Sequence, residues 1–363
     1  MKKVLLITSV DFWAKSSGHR MRISTLIEYL AKNVELTVVY TGPMKDGTEL
    51  VIMKEFTIGF FVLEKVKDLT PEAYGRRFKK FLTGKHFDAM IFEYIYSSYF
   101  LNYLVEDTKL ILDMHDIFSN RADEFAKFDY AGQIETLPRE TEIEILNIYD
   151  HIIVLCKNDF DEITAVTSPG KALLCPHPVP TRTHTIKKEV KKIAFIASNY
   201  PPNEDGIIWF VKNCWSKISE TYNFELWIYG TVCQNLYFQH PKIVCKGFVK
   251  NIDRIYDQAD IIINPVRFGA GIKIKNVEAL AHGKPLITAS HGARGLEDGI
   301  NNSFLVADSP EEFVEKVISL VESISLRQKL GANAQMLIEN YFSVSQCFEP
   351  LLRAITTESS YFK

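Results

Sequence analysis

Short apolar runs alternate with stretches of helical period along most of the chain. Residues 4–8, 35–40, 88–93, 109–113 and 152–156 read as buried strands, whereas 20–32 and 71–82 bring apolar side chains round to one helical face. This alternation predicts a parallel sheet covered by helices. Between 176 and 192 the sequence PHPVPTRTHTIKKEVKK has three prolines, no helical period and a basic cluster, and it predicts a linker over 179–192. The pattern then restarts with strands at 193–197, 224–229, 243–245, 260–264 and 285–288. Helices are expected near 204–220, 310–321 and 325–340, and a last one over 343–356. The fold class is α/β, with two doubly wound parallel-sheet domains at 1–178 and 193–342.

Length agrees with that division, because 363 residues exceed one ordinary core. Charge is nearly balanced, with 42 basic against 45 acidic residues, so a global electrostatic footprint for nucleic acid is missing. The six cysteines form no CxxC pair and read as reduced core residues of a cytosolic protein. The opening MKKVLLITSVDFW has too short an apolar run for a signal peptide and reads as a first strand. No apolar run approaches the ~18–20 residues that span a bilayer.

The stretch PVRFGAGIKIKNVEALAHG, 265–283, joins an expected strand end to a helix start. Open α/β sheets bind ligands outside the carboxyl ends of their strands, and a helix N-terminus offers unpaired N–H groups and a positive dipole end. Gly269 and Gly271 let the backbone approach an anion, and Arg267 and Lys273 supply charge for a diphosphate. Glu278 falls beside an apolar helical stripe and leans toward the phosphate end, where vicinal ribose hydroxyls can donate to it. The plainer alternative is an i, i+3 pair with Lys275.

Other segments carry weaker signals. Ser16-Ser17-Gly18-His19-Arg20 follows the first strand as either an N-capped helix start or a substrate loop. GxGxxG is absent, which disfavours a nicotinamide or flavin enzyme. Asp113-Met114-His115-Asp116 ends another strand; His115 either orients a hydroxyl, with Asp116 holding its tautomer, or is structural. Asp159-Phe160-Asp161 spells DxD, but it opens a helix that Asn158 can cap, so no metal is assigned to it. The basic helix bearing Arg76, Arg77, Lys79 and Lys80 is a solvated face or a peripheral contact with an anionic membrane.

The sequence RFGAGIKIKNVEALAHGKPLITASHGARGL, with FIASNYPPNEDGIIWF, LWIYG and KGFV before it, resembles the GT-B glycosyltransferases and more closely their group 1, or family 4, retaining members. The resemblance spans nearly the whole chain. It implies two facing Rossmann-like domains with a cleft between them, and a segment at 343–363 that crosses back to the first. It also implies a nucleotide-sugar donor on the second domain and an acceptor on the first; no cofactor and no metal are expected. Glu278 matches the glutamate that contacts ribose, Phe248 and Val249 the loop beside the base, and Gly18 the glycine loop near the diphosphate. His115 matches the strand end from which members reach the donor sugar. Two positions depart from the family: Ala270 stands where many members have a second glutamate, and SNYPPNEDG lacks their Arg and Lys. The backbone at Ala270, Gly271 and Ile272 is then expected to face the sugar, with His19, Arg20 and Asp116 on the acceptor side.

The expected function is transfer of a hexose-like sugar from a nucleoside diphosphate to a glycan, lipid-linked or small-molecule hydroxyl with retention, in cell-surface polysaccharide or glycoconjugate synthesis. The expected location is the cytoplasm or the inner membrane face, and no nucleic-acid partner is expected. The alternatives are a sugar-nucleotide epimerase of the same fold and a catalytically idle partner subunit. The irregular segments 42–55 and 93–100 are the expected acceptor loops.

Overall fold

The computed structural model describes residues 1–15, 18–63, 70–130, 132, 134–182 and 184–357. Ser16 and Ser17 of the expected glycine loop lie outside them. The described chain forms two compact units.

The first unit comprises Met1–Asn120, Glu135–Pro176 and Val344–Lys363. Its strands are β1 (Lys3–Thr8), β2 (Glu35–Tyr40), β3 (Gly59–Val62), β4 (Ala89–Glu93), β5 (Lys109–Asp113), β6 (His151–Val154) and β7 (Ala172–Leu174). They form one sheet in the order β3-β2-β1-β4-β5-β6-β7, all neighbours parallel. The reason is visible in β4, AMIFE, where every residue is buried: a strand covered on both faces is apolar without alternation. Helices α1 (Gly18–Asn33), α2 (Thr48–Glu55), α3 (Pro71–Leu82), α5 (Arg139–Ile148) and α6 (Lys157–Val166) connect the strands, together with α4 (Phe118–Ala126), whose residues from Arg121 onward belong to the second unit.

The second unit comprises Arg121–Ile134 and His177–Ser343. Strands β8 (Lys192–Ile196), β9 (Glu225–Tyr229), β10 (Ile243–Gly247), β11 (Ile261–Asn264), β12 (Leu286–Thr288) and β13 (Leu305–Val306) form a parallel sheet in the order β10-β9-β8-β11-β12-β13. Its helices are α7 (Pro201–Phe210), α8 (Ser216–Ser219), α9 (Asp253–Gln258), α10 (Ile274–Ala281), α11 (Pro310–Glu322) and α12 (Ile324–Tyr341). A wider π turn at Val211–Trp215 joins α7 to α8. Helix α11 starts with a full capping box between Ser309 and Glu312.

Helix α13 (Val344–Thr356) belongs to the first unit, where Lys109 Nζ donates to Ala354 O at 2.5 Å and Tyr29 Oη donates to Glu349 Oε2 at 3.4 Å. Within the expected linker 179–192, the carbonyls of Lys187 and Lys188 accept from Arg327 Nη2 at 2.9 and 2.7 Å. Residues 121–134, which the hydrophobic pattern leaves in the first domain, also pack within the second unit.

Three local expectations are corrected. Segment 42–55 contains α2, and segment 93–100 runs from a strand end into a 3-10 helix at Ile95–Tyr103. Asn158 does not cap α6, because the N-cap is Cys156 and Lys157 already starts the helix. All six cysteines are free, yet Cys245 on β10 is exposed rather than in the core.

Candidate functional site

In each sheet the chain reverses direction of winding beside the first strand, between β1 and β4 and between β8 and β11. Such switch points open a crevice at the carboxyl ends of the strands. In the second unit the turn after β11 occupies that place. Gly269 and Gly271 take φ of +107° and +65°, values that favour glycine. Gly206 on α7 lets that helix meet the turn, since a Cβ there would lie 2.7 Å from Pro265 O. Helix α10 then begins after Lys273 with no side-chain cap; Asn276 N–H turns back to Lys273 O at 2.8 Å, and the N–H groups of Ile274 and Lys275 are left for a ligand or water.

Arg267 is already engaged. Its Nη2 donates to Asp205 Oδ2 at 2.7 Å, and its guanidinium lies 5.2 Å from the ring centres of both Phe128 and Trp209. Phe268 beside it is buried among Phe125, Phe128 and Tyr130, with centroid distances of 5.3, 4.4 and 5.4 Å. Phe125, Phe128 and Tyr130 therefore brace the glycine turn, a role the sequence pattern does not reveal. His291 borders the turn as well: it bonds the Gly269 backbone and stands 3.7 Å from Glu124, and burial with nearby Lys273 pushes its pKa down to about 3.

The two lysines differ. Lys273 folds back on its own turn, its Nζ donating to the carbonyls of Ala270 and Gly271 at 3.0 and 3.1 Å. Lys275 crosses to α7, where Nζ donates to Asn203 Oδ1 at 2.6 Å and lies 4.9 Å from the Phe195 ring centre. Burial, then Lys273, pushes the Lys275 pKa down to about 7. Glu278 accepts from Tyr256 Oη at 3.3 Å, and burial pushes its pKa up to about 7 despite Tyr256 and Lys275. The bond of Lys275 thus goes to Asn203, while its effect on Glu278 is electrostatic at longer range. Ile272 is buried under the turn, Phe248 is 57% exposed after β10, and Val249 beside it is half-buried.

Beneath the turn lies a closed ring of buried polar groups. Asn264 Nδ2 donates to Asn276 Oδ1 at 2.9 Å, Asn276 Nδ2 to Thr288 Oγ1 and Gly292 O at 3.1 and 2.8 Å, and Thr288 Oγ1 to Asn264 O at 3.1 Å. This ring ties the ends of β11 and β12 to the first turn of α10 and holds the glycine turn in register.

In the first unit, Gly18 opens α1, His19 is half-buried, and Arg20 forks Asp11 with bonds of 2.5 and 3.1 Å. Burial, then Arg20, pushes the His19 pKa down to about 4. His115 does not lean on Asp116. Its Nε2 stands 2.7 Å from Glu93 Oε2, and its ring stacks on Tyr94 at 4.1 Å. Asp116 is half-buried, its N–H bonded to Met114 O at 2.7 Å. Glu93 and Arg22, both fully buried, are the residues that sequence reasoning missed. The signal was available, since a carboxylate ending the apolar strand AMIFE and an arginine on the inward face of α1 both require partners.

Glu93, Asp113 and His115 each bring a ligand atom within 4.8 Å of the others. A divalent cation can use such a set. Here Asp113 Oδ2 already accepts from Arg22 Nη2 at 3.0 Å and Glu93 faces His115, so the cluster is accounted for as a hydrogen-bonded charge network.

Residues 190–323 match the family described as Glycosyl transferases group 1. A Klebsiella pneumoniae protein described as an uncharacterized 44.6 kDa protein in the cps region is 19% identical over 394 residues, covering 97% of this chain and 100% of that protein. TarM of S. aureus superposes with a TM-score of 0.76 at 11% identity, covering 98% of this chain and 99% of that one. HepE of Anabaena, in complex with UDP and glucose, gives 0.73 at 11% identity, covering 99% and 100%. The chain therefore has the two-sheet GT-B fold of these solved structures, and its residues 190–323 match the group 1 glycosyltransferase family.

Proposed function

We propose that this enzyme transfers a sugar from a nucleoside diphosphate to an acceptor hydroxyl in cell-surface polysaccharide synthesis, with retention and without a metal. The observation that carries the reading is the site after β11: a glycine turn at +107° and +65°, an uncapped helix start, and the ammonium groups of Lys273 and Lys275 on either side. HepE was solved with UDP and glucose, and the Klebsiella protein comes from a cps region. Both facts support the donor class and the polysaccharide setting.

As the glycosidic bond breaks, negative charge grows on the leaving diphosphate. Lys273, Lys275 and the N–H groups of α10 supply the compensation, each such group being worth ~2.7–4 kcal/mol in the transition state. Arg267 joins them through Nη1, which its bonds to Asp205 do not use. Glu278 accepts from the ribose hydroxyls, Phe248 and Val249 cover the base, and the Ala270 to Ile272 backbone meets the sugar. Gly18, His19, Arg20 and Asp116 serve the acceptor side, with His115 reaching the transferred sugar.

The test is thermal unfolding with UDP, GDP, dTDP and ADP. A specific ligand at 100 times its dissociation constant adds ~2.7 kcal/mol, so one of the four raises the Tm. No shift from any of them at millimolar concentration overturns the donor-site reading. The anomeric configuration of the product, read by NMR, decides retention.

A peripheral membrane contact, at the inner face of a membrane, belongs to the same proposal. Helix α3 exposes Arg76, Arg77, Lys79 and Lys80 while burying Tyr74, Phe78, Phe81 and Leu82, and Phe61 beside Phe81 is 39% exposed. No described helix is long and apolar enough to cross a membrane. A cytoplasmic site suits the six free cysteines. Flotation with vesicles containing anionic lipid, and its loss on charge reversal of the four basic residues, tests the contact.

A further inference from the structure

Glu93 occupies a position that stability alone does not favour. It ends β4 fully buried, beside the equally buried Asp113, so two carboxylates share an apolar shell. Arg22 answers one of them, with Nη2 at 3.0 Å from Asp113 Oδ2. Glu93 turns instead to His115, with Oε2 at 2.7 Å from Nε2, and its other oxygen is buried without a partner.

The backbone is bent to make this contact. Tyr94 and His115 follow adjacent strands and take φ of +63° and +61°, a left-handed conformation costing ~1–3 kcal/mol at each non-glycine residue. Their rings stack at 4.1 Å and 11°. The imidazole is thus covered on one face by Tyr94 and gripped at Nε2 by Glu93. Nδ1 makes no hydrogen bond among the described residues, which leaves it as the atom that can meet a ligand.

We propose that Glu93 is the positioning residue of the transfer site: by holding Nε2 of His115 it fixes the ring and makes Nδ1–H a donor to a substrate oxygen. The inference rests on the glycosyltransferase reading. Its chemistry follows from proton placement. When Glu93 and His115 together hold two protons, one lies between Oε2 and Nε2 and the other is on Nδ1, whichever partner formally owns the shared one. Loss of one proton leaves Nε2–H facing a carboxylate and turns Nδ1 into an acceptor. Donation to substrate is therefore lost as pH rises.

The groups around the ring are Glu93 from β4, Tyr94 after it, Asp113 and Asp116 on its own segment, and Arg22 and His19 from α1. Burial acts to lower the His115 pKa, but Asp113 and Glu93 outweigh it and the net direction is upward.

The experiment compares wild type, Glu93→Gln and Glu93→Asp by kcat against pH, by Tm, by the UDP-induced Tm shift and by NMR titration of histidines labelled with nitrogen-15. The glutamine keeps shape but removes the charge that favours the two-proton state. Glu93→Gln is expected to lower kcat about 100-fold, to move the alkaline limb of the profile and the His115 titration to lower pH, and to leave the UDP-induced shift unchanged. Glu93→Asp is expected to keep the limb near its wild-type position. Full kcat in Glu93→Gln, or lost kcat with an unmoved limb and titration, overturns the proposal. If wild type neither responds to UDP nor transfers sugar, the transferase reading fails instead, and the His115 titration still decides whether Glu93 governs the imidazole.

Discussion

Lys275 Nζ donates to Asn203 Oδ1 at 2.6 Å, so a cation from the start of α10 is held against the first turn of α7. The family resemblance leads one to expect basic residues on that first loop, and SNYPPNEDG has none. The lysine reaches it from the start of α10 across the β8–β11 switch point. Holding an ammonium and the Glu278 carboxyl in a buried setting costs stability, and replacing buried charges by neutral groups of similar volume is neutral or stabilising by ~1–4 kcal/mol. The double variant Lys275→Met/Glu278→Gln is expected to unfold at equal or higher temperature than wild type while its nucleotide affinity drops ~10–100-fold, the weight of a charge-assisted bond. Calorimetric titration with the best nucleoside diphosphate, beside thermal unfolding, checks both halves.

Nucleotide binding should also move protons. Burial and Lys273 put the Lys275 pKa at about 7 in the empty site, so above that pH the side chain is mostly neutral. A bound diphosphate favours the ammonium and raises the pKa. Binding at pH 8 is therefore expected to take up a proton, whereas ribose hydroxyls donating to Glu278, whose own pKa is about 7, favour its carboxylate and release one below neutrality. Binding enthalpies measured in two buffers of different ionisation enthalpy reveal the sign. Lys275→Met should abolish the uptake at pH 8.

The strands and the glycine turn were legible because their causes are local. An apolar run such as IIIN at Ile261–Asn264 identifies a buried strand without reference to the rest of the chain, and Gly269 and Gly271 mark a bend wherever they stand. Partnerships across the fold were not legible. Asp205 lies 62 positions from Arg267, and Glu93 lies 22 from His115, so neither pairing leaves a periodic trace. Residues 121–134 escaped for the same reason: Phe125, Phe128 and Tyr130 read as ordinary aromatics until Phe268 brings them together. Asn203 gives no hint in the sequence that a lysine will be fastened to it.

The Arg22–Asp113 pair should be a main support of the first unit. Both side chains are fully buried at 3.0 Å, and Arg22 also donates to Pro176 O at 2.9 Å. Removing one member leaves an uncompensated charge, here beside a second carboxylate, at a cost of ~3–5 kcal/mol. Arg22→Met is expected to lower the urea midpoint of the first unit sharply, and Arg22→Met/Asp113→Asn to recover much of the loss. Equal destabilisation by the single and double variants would show that packing of the arginine stem, not its charge, is what matters.

Metal independence is open to direct trial. In the proposed donor site the charge on the diphosphate is met by lysines and helix N–H groups, which need no cation. Transfer activity is expected to survive exhaustive chelation and to change less than about twofold on adding magnesium or manganese, within the spread that ion screening of surface charge produces. A requirement for either ion would redirect attention to Glu93, Asp113 and His115, and their replacement would then abolish metal binding measured on the protein alone.

The buried amide ring offers the sharpest test of how the glycine turn is held. A Cβ on Gly292 would stand 2.0 Å from Thr288 Oγ1, 3.0 Å from Asn276 Nδ2 and 3.2 Å from Asn264 Nδ2, meeting three members of the ring at once. None is the end of a long side chain able to swing away, since each is tied to the others by bonds of 2.9 to 3.1 Å. Gly292→Ala must therefore break the ring or shift the backbone, for an overpacking cost of ~1–3 kcal/mol. The damage should propagate to function, because Asn276 lies in the first turn of α10 and fixes where its N–H groups point. Nucleotide affinity is expected to fall although Gly292 is not among the residues proposed to touch the ligand. Asn276→Asp adds a second reading: it exchanges both Nδ2 donors for a carboxylate facing Thr288 and the Gly292 carbonyl, without the added bulk. If both variants lose nucleotide binding in proportion to the ring bonds they break, the ring positions the site. If Gly292→Ala loses only stability, the turn is held by Phe268 and its aromatic neighbours instead.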